Sequence, residues 1–404
     1  MKKKIKIVFI CVSELTQRYF DWWALDELSE KFDMEYWDIS EIAYNGFRAK
    51  DKIERPFVVK IKSIEEFEQN LKKIPKDSVI TPSILENKGN YKLNKLLSHY
   101  FPKVCYIHLY NFIEGVDLTQ DQSVNKEGFR RKSFTRRIKE LLYKSPELQF
   151  LIKNMAHPSD HDAFVVEYYR RKTEALFEHH DMWNVVGEKY YVNSVNVNQY
   201  MKAKREPLPD GVPEKYIVYI DQFFPYHNEL KISDPAWDAD EIAKTHYVKI
   251  NKFLQRIEKQ YQCPVIIAVH PVANYTENPY DGRLILKWCT EKLVIHSQAV
   301  LMHNSGSLAF IMLANKPMAI LVNDEYRKSP WMSSMKSYIN QGLYSIDLEK
   351  LQKEQTITIP PISKDLRDRY MEWIAGGEID EAHWRANAEL IAENYVKIYH
   401  EMYD

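Results

Sequence analysis

The sequence predicts a two-domain α/β protein in which two Rossmann-like domains face a cleft and C-terminal helices cross back to the N-terminal domain. The chain has 404 residues, more than a single hydrophobic core usually serves. Short apolar runs alternate with amphipathic segments in both halves, as strands and crossover helices of a parallel sheet do. A charged, proline-containing segment with an Asp-Gly turn signal, 202–215, separates the halves.

The N-terminal domain is predicted to span 1–205. Ser63 and Glu66 form a capping box at the start of one of its helices. From 111 to 160 the pattern loses its period, which indicates an insertion between sheet elements. Strands are predicted at 6–12, 34–39, 57–61, 78–81, 103–110 and 184–192, and helices at 15–32, 63–74, 91–100 and 162–179.

The C-terminal domain is predicted to span 212–363, with five or six parallel strands. A helical tail, 364–404, is interrupted by Gly376 and Gly377 and is expected to pack across the N-terminal domain. Strands are predicted at 216–221, 264–271, 284–288, 293–297, 299–304 and 318–322, and helices at 238–261 and 307–314.

Composition indicates an ordinary globular chain that works in the cytoplasm. Hydrophobic residues make up 45% and charged residues 28%, and the net charge of -1 does not favour a nucleic-acid partner. The four cysteines form no CxxC pair, so they are expected to be buried thiols in a reducing compartment. The basic start leads into a short apolar run without a small-residue cleavage site, which favours a first strand over a signal peptide.

Polar residues follow three predicted strands of the C-terminal half. Ligands of open α/β sheets bind beyond the carboxyl ends of the strands, so these positions are candidates for a site. The first set is Asp221, Gln222 and His227; the second is His270 and Pro271; the third, where a strand meets a helix, is His303, Asn304, Ser305, Gly306 and Ser307.

Each set also has a simpler structural interpretation. Asp221 can cap a turn, His270 can be a satisfied core residue, and Ser305 or Ser307 can be a helix N-cap. As a site, the histidine can donate to a phosphate oxygen, and the serine hydroxyls can join the amides of a helix N-terminus in binding an anion. Gly306 permits a close approach of the ligand.

The order of these motifs resembles that of glycosyltransferase B (GT-B) enzymes which use CMP-activated acidic sugars, such as bacterial sialyl-, polysialyl- and Kdo transferases. Those enzymes carry an HP motif and a serine-pair motif. Here His270-Pro271 resembles the first, and Ser305 with Ser307 resembles the second. The resemblance covers about 110 residues, 216–322, and implies that these side chains bind the nucleotide phosphate, the ribose or the sugar carboxylate. The acidic motif of the sialyltransferases is not present as such.

Transfer of the sugar needs a general base for the acceptor hydroxyl. The candidates are Asp221, and Asp160 or Asp162 within the segment HPSDHDAF, 157–164. Although that segment holds two histidines and two aspartates, no second ligand cluster accompanies it. Neither a metal nor another cofactor is therefore expected.

The run at 126–144 carries eight Lys or Arg residues against two Glu residues. It is compatible with a solvated face, an acidic glycan acceptor or an anionic lipid surface, and the last would bring the protein to the inner face of the plasma membrane. Nucleic acid would fit the charge, but no recognition motif accompanies it.

The sequence thus predicts a glycosyltransferase that moves an acidic sugar of the ulosonic or sialic type from a CMP donor to a glycan or glycolipid acceptor in bacterial surface polysaccharide synthesis. The C-terminal domain would bind the donor and the N-terminal domain the acceptor. Two alternatives stay open: a UDP- or CDP-sugar transferase or 2-epimerase of the same fold, and a non-catalytic scaffold of a polysaccharide assembly complex.

Overall fold

The computed structural model describes residues 4–49, 51–84, 88–108, 162–168 and 184–404. Their contacts group them into two compact units. The first unit contains the described residues up to His108, those from 162 to 194, and 385–404; the second contains 195–384.

The described elements alternate between strands and helices through most of the chain. The first part contains β1 (Lys6–Cys11), α1 (Gln17–Trp22), α2 (Leu25–Lys31), β2 (Asp33–Asp38), β3 (Val58–Lys60), α3 (Ile64–Lys73), β4 (Val79–Ser83), a 3-10 helix (Lys88–Asn90), α4 (Tyr91–Tyr100), β5 (Lys103–His108), β6 (Asp162–Tyr168) and β7 (Asn184–Val192). The second part contains α5 (Val195–Ala203), β8 (Ile217–Asp221), α6 (Asn228–Ser233), α7 (Ala239–Tyr261), β9 (Val265–Val269), β10 (Ile285–Lys287), α8 (Thr290–His296), β11 (Ala299–Met302), α9 (Leu308–Leu313), β12 (Met318–Val322), α10 (Asp324–Arg327), α11 (Met332–Asn340), β13 (Ser345–Asp347), α12 (Lys364–Ala375) and α13 (Asn387–Tyr403).

The first unit is built on parallel strands in the orders β3-β2-β1-β4 and β5-β6-β7, with β5 beside β4. Strand β1 is buried from Ile7 to Cys11, as expected of a strand covered on both faces. The capping box holds the start of α3, because the Ser63 hydroxyl accepts the N–H of Glu66. Crossover helices between parallel strands make this unit Rossmann-like.

The second unit is a doubly wound sheet of six parallel strands. Their order is β10-β9-β8-β11-β12-β13. Numbered along the chain from β8, that order is 3-2-1-4-5-6, which is the Rossmann order. Both faces are covered, since Val218 and Ile220 belong to one buried cluster, and Ile217 and Tyr219 to another.

The last helix, α13, belongs to the first unit. Its Tyr395 is buried, and the Tyr395 hydroxyl lies 2.8 Å from the Thr81 hydroxyl of β4. The chain therefore crosses back to the first unit at its C-terminus. Two Rossmann-like units joined in this way give the α/β fold of the GT-B type that the sequence predicts.

The contacts divide the chain before α5, whereas the sequence suggests a boundary within 202–215. The difference arises because Val197, Tyr200 and Met201 of α5 pack into the core of the second unit. Helix α12 also stays in that unit, through Leu366 and Tyr370. The domain ranges 1–205, 212–363 and 364–404 stay predictions.

Three predicted elements are wrong. Residues 162–168 form strand β6 instead of a helix, because the run Ala163–Val166 is buried between β5 and β7. The predicted strand at 293–297 is the end of helix α8, which buries Leu293 and Val294. The helix predicted at 15–32 is broken at Ala24, whose φ is 51°. Short apolar runs do not distinguish a strand from a buried helix.

Within the described part of the chain, no helix combines the length and the apolar character that crossing a membrane requires.

Candidate functional site

The register of the second sheet brings the ends of four neighbouring strands to one level. Val269 on β9 pairs with Lys287 on β10 and with Asp221 on β8. On the other side of β8, Met302 of β11 pairs with Ile220. Since neighbouring strands lie about 4.8 Å apart, the residues at the next level form a row of about 14 Å along the carboxyl edge. This carboxyl row is Trp288, His270, Gln222 and Asn304.

Asp221 lies directly below the row and is 1% exposed. One carboxylate oxygen accepts the N–H of Phe223 at 3.0 Å, and the other accepts the hydroxyl of Tyr275 at 2.6 Å. Burial raises the pKa of Asp221 to about 6, although these hydrogen bonds favour the charged form. The carboxylate thus ties the end of β8 to the loop that follows His270.

Tyrosines surround this carboxylate. The hydroxyl of Tyr247 lies 2.9 Å from the carbonyl oxygen of Phe224 and 3.2 Å from the hydroxyl of Tyr275. Burial, followed by the charge of Asp221, raises the pKa of Tyr247 and of Tyr275. Both hydroxyls therefore stay protonated near neutral pH; that of Tyr275 donates to the carboxylate, and that of Tyr247 donates to the Phe224 carbonyl or to Tyr275.

His270 and His227 form an edge-to-face pair with ring centroids 5.1 Å apart. The Nδ1 atom of His270 accepts the N–H of Val272 at 3.2 Å, and that of His227 accepts the N–H of Glu229 at 3.3 Å. In the neutral form each ring therefore carries its hydrogen on Nε2. The two side chains supply two N–H donors at the carboxyl edge of β8 and β9, with Pro271 directly after His270.

His303 is buried and belongs to the interior of the unit. Its Nδ1 atom donates to the carbonyl oxygen of Leu321 at 2.6 Å, and its ring stacks on Tyr326 with centroids 4.4 Å apart. Burial lowers the pKa of His303 to about 4, so the ring is neutral near pH 7. These contacts indicate that His303 holds neighbouring residues in place at this edge.

Tyr326 joins two members of the carboxyl row. Its hydroxyl lies 3.0 Å from the side-chain oxygen of Gln222 and also contacts that of Asn304. Tyr326 is not among the residues predicted from the sequence, although it lies nearer in sequence to the end of β12 than His227 lies to the end of β8. The rule that polar residues beyond a strand end are candidates, applied to β12, would have indicated it.

The serine pair precedes the short helix α9. Ser305 is nearly buried, and its hydroxyl accepts the N–H of Ser307 at 3.2 Å. Ser307 is the N-cap residue, yet its side chain makes no capping hydrogen bond. No heavy atom lies within 4 Å of a Cβ placed on Gly306, so the glycine borders open space. Because α9 has six residues, its dipole adds little to anion binding.

Asp162 does not join this arrangement. Asp162 is the first residue of β6, where its N–H donates to the carbonyl oxygen of Pro102 at 2.7 Å. It therefore lies at the amino edge of its sheet, opposite the edge where ligands of such sheets bind. Asp160 and the basic run 126–144 lie outside the described residues. The described residues contain no group of three His, Cys, Asp or Glu side chains suited to a metal ion.

No protein-family model and no curated protein matches the sequence. The structure is similar to that of the wall teichoic acid polymerase TagF, at 10% identity and a TM-score of 0.47 over 100% of this chain and 91% of the other. It is also similar to the calicheamicin glycosyltransferase CalG4, at 12% identity and a TM-score of 0.46 over 99% of this chain and 98% of the other. A third similar structure is the UDP-N-acetylglucosamine 2-epimerase from Rickettsia bellii, at 12% identity and a TM-score of 0.39 over 98% of this chain and 96% of the other. The fold is assigned on the strand order of the two units.

Proposed function

We propose that the protein is a glycosyltransferase that moves an acidic sugar of the ulosonic or sialic type from a CMP-activated donor to a glycan or glycolipid acceptor in bacterial surface polysaccharide synthesis. The observation that carries the proposal is the alignment of His270, Gln222 and Asn304 at the carboxyl ends of three neighbouring strands. In a doubly wound sheet this edge is where nucleotides bind.

The chemistry of the edge suits a leaving phosphate. Departure of CMP develops negative charge on its phosphate, which fixed hydrogen-bond donors stabilise without a metal. The Nε2–H groups of His270 and His227 are two such donors, and the hydroxyl of Ser307 is a third. Gln222 and Asn304, held together by Tyr326, supply neutral amides for sugar or ribose hydroxyls.

The general base stays a prediction among Asp221, Asp160 and Asp162. Of the two that the structure describes, only Asp221 lies at a carboxyl edge. Its pKa of about 6 leaves it ionised, and able to accept a proton, above that pH. In this role the Tyr275 hydroxyl, which contacts the carboxylate, relays the proton or moves aside.

Nucleotide binding tests the proposal directly. Thermal unfolding of the full chain is measured with CMP, CDP, UMP and UDP at one common concentration; a nucleotide present at about 100 times its dissociation constant adds about 2.7 kcal/mol to stability, and a weaker ligand adds less. Selective stabilisation by CMP, lost in His270→Ala, is expected. A UDP or CDP preference would make the chain a transferase or 2-epimerase for those donors, and the absence of any nucleotide effect would favour a scaffold.

Contact with an anionic membrane surface through 126–144, at the inner face of the plasma membrane, is part of the same proposal. Its support is the charge of that run. Sedimentation of the full chain with vesicles of anionic lipid tests it, and equal binding to vesicles of neutral lipid would contradict it.

A further inference from the structure

The edge strand β10 ends in an exposed tryptophan. Trp288 is 50% exposed, whereas the next residue, Cys289, is buried. It is the end member of the carboxyl row, at the level of His270 on the adjacent strand, because Lys287 pairs with Val269. A half-exposed aromatic side chain thus follows the strand next to that of the proposed phosphate-binding histidine, and neighbouring strands lie about 5 Å apart.

The backbone holds Trp288 in an unfavourable conformation. Its φ is 64°, in the left-handed region that a bulky side chain rarely adopts. Pairing with β9 keeps the strand in place, and the Lys287 ammonium group donates to the carbonyl oxygen of Ala273 at 2.8 Å, which ties β10 to the loop after His270. Such strain is often retained where it directs a side chain toward a ligand.

The carboxyl row changes from apolar to polar along its length. On the β10 and β9 side, Trp288 and the 45% exposed Val272 flank His270. On the β8 and β11 side are two amides, that of the half-buried Gln222 and that of the buried Asn304 behind it, both in contact with the Tyr326 hydroxyl. A nucleotide-linked sugar has the same polarity, with a planar base at one end and a phosphate and polyol at the other.

We infer that Trp288 provides the stacking face for the base of the nucleotide donor, with the phosphate at His270 and the sugar toward Gln222 and Asn304. This inference rests on the proposed function and adds the residue that holds the base. Stacking of a base on an aromatic side chain tolerates any base, so Trp288 contributes to affinity and does not distinguish cytosine from uracil.

Calorimetric titration of the full chain with CMP, UMP and ribose 5-phosphate tests the inference. Trp288→Asn removes the ring and keeps a residue that accepts the left-handed backbone. Loss of the stack weakens CMP and UMP by about 5- to 150-fold. Ribose 5-phosphate, which lacks a base, is expected to keep its affinity, and Trp288→Phe is expected to restore part of the loss for the nucleotides.

Tyr344→Ala is the matched control. Tyr344 is 46% exposed in the same unit, but it precedes β13 and so lies at the amino edge of the sheet. Its removal is expected to leave all three affinities unchanged.

The outcomes of the titration separate this inference from the proposed function. If Trp288→Asn leaves CMP affinity within about twofold while His270→Ala abolishes binding, the inference is wrong and the proposed function stands. An equal loss for CMP and ribose 5-phosphate would also overturn it, because it would reveal a general distortion of the site. If the unaltered chain binds no nucleotide, both the inference and the proposed function are wrong. If ribose 5-phosphate binds too weakly to measure, the change in CMP affinity alone still tests the inference.

Discussion

The two units share an arrangement of four strands and differ in the residues just beyond the ends of those strands. In the first unit, β3, β2, β1 and β4 lie in the same order as β10, β9, β8 and β11 in the second. The pairing aligns Lys60, Asp38, Cys11 and Ser83 at their ends. At the next level the first unit has Ile61, Ile39, Val12 and Ile84, where the second has Trp288, His270, Gln222 and Asn304. The strands of one unit are thus followed by aliphatic side chains, and those of the other by polar and aromatic side chains.

The aspartates at these strand ends show the same difference. Asp38 in the first unit accepts the N–H of Ser40, two residues along the chain, and closes its own turn. Asp221 in the second also accepts the N–H two residues on, but its other oxygen binds Tyr275 on a different loop. A strand-end carboxylate can therefore close a turn, or it can also organise a neighbouring loop.

The largest expected effect is at the aliphatic strand ends of the first unit. Ile39→Ala removes a fully buried side chain of the core of the first unit, which costs about 2–5 kcal/mol of unfolding free energy. Urea unfolding measures it, and CMP affinity is expected to stay unchanged at temperatures where the variant is folded. A selective loss of CMP affinity in a folded variant would show that this edge also takes part in donor binding.

Asp221→Asn comes next, and it tests the cost of burying the carboxylate. The folded pKa of about 6 lies above the ordinary value of 3.8, so the stability that Asp221 contributes is present below about pH 4 and is lost as the pH rises through 6. The variant is therefore expected to be more stable than the parent by about 3 kcal/mol at pH 8, and the gain disappears toward pH 4.

The variant also tests the proposed base. Unfolding free energies of both proteins across pH 4–8 are compared, and turnover and CMP affinity are measured at pH 8. The neighbouring His303 loses stability in the opposite direction, as the pH falls from 6.5 to 4, but its effect cancels in the difference. Turnover is expected to fall while CMP affinity is kept. A less stable variant at pH 8 would mean that the carboxylate's hydrogen bonds outweigh its burial.

His270→Ala tests the polar residues of the carboxyl row in the second unit. Loss of one phosphate donor is expected to lower turnover about a hundredfold, equivalent to about 2.7 kcal/mol, with little change in unfolding free energy. His383→Ala is the matched control, since His383 is a histidine of the same unit whose side chain is 85% exposed and bonds to Asp380. Equal turnover in the two variants would exclude this edge as the reacting site.

The sequence predicted the sheets well because parallel strands buried on both faces appear as continuous apolar runs, as at 6–11 and 265–269. It also selected three of the four residues of the carboxyl row, because each lies one or two residues beyond such a run. Trp288 was not predicted, since tryptophan suggests a core residue. Tyr326 was missed because the rule was not applied to the end of β12, and its contact with distant Gln222 is seen only in the fold. Nor does the sequence reveal that His303 turns inward, which is decided by the packing of Tyr326 against it.

The smallest effect concerns the connection within the carboxyl row. Tyr326→Phe keeps the ring that stacks on His303 and removes the hydroxyl between Gln222 and Asn304. Loss of one neutral hydrogen bond costs about 0.5–1.5 kcal/mol, so we expect CMP affinity to fall by about 2- to 12-fold as the two amides lose their common partner. Calorimetric titration measures this change.

The control is Tyr370→Phe, which removes a buried hydroxyl that donates to Gln341 at 2.8 Å in the same unit. Both variants are expected to lose about 1 kcal/mol of unfolding free energy, because each loses a comparable hydrogen bond. Only Tyr326→Phe is expected to weaken CMP binding, since only its hydroxyl contacts residues of the row. An equal loss of affinity in both variants would mean that stability of the unit, and not the arrangement of Gln222 and Asn304, sets the affinity of this edge.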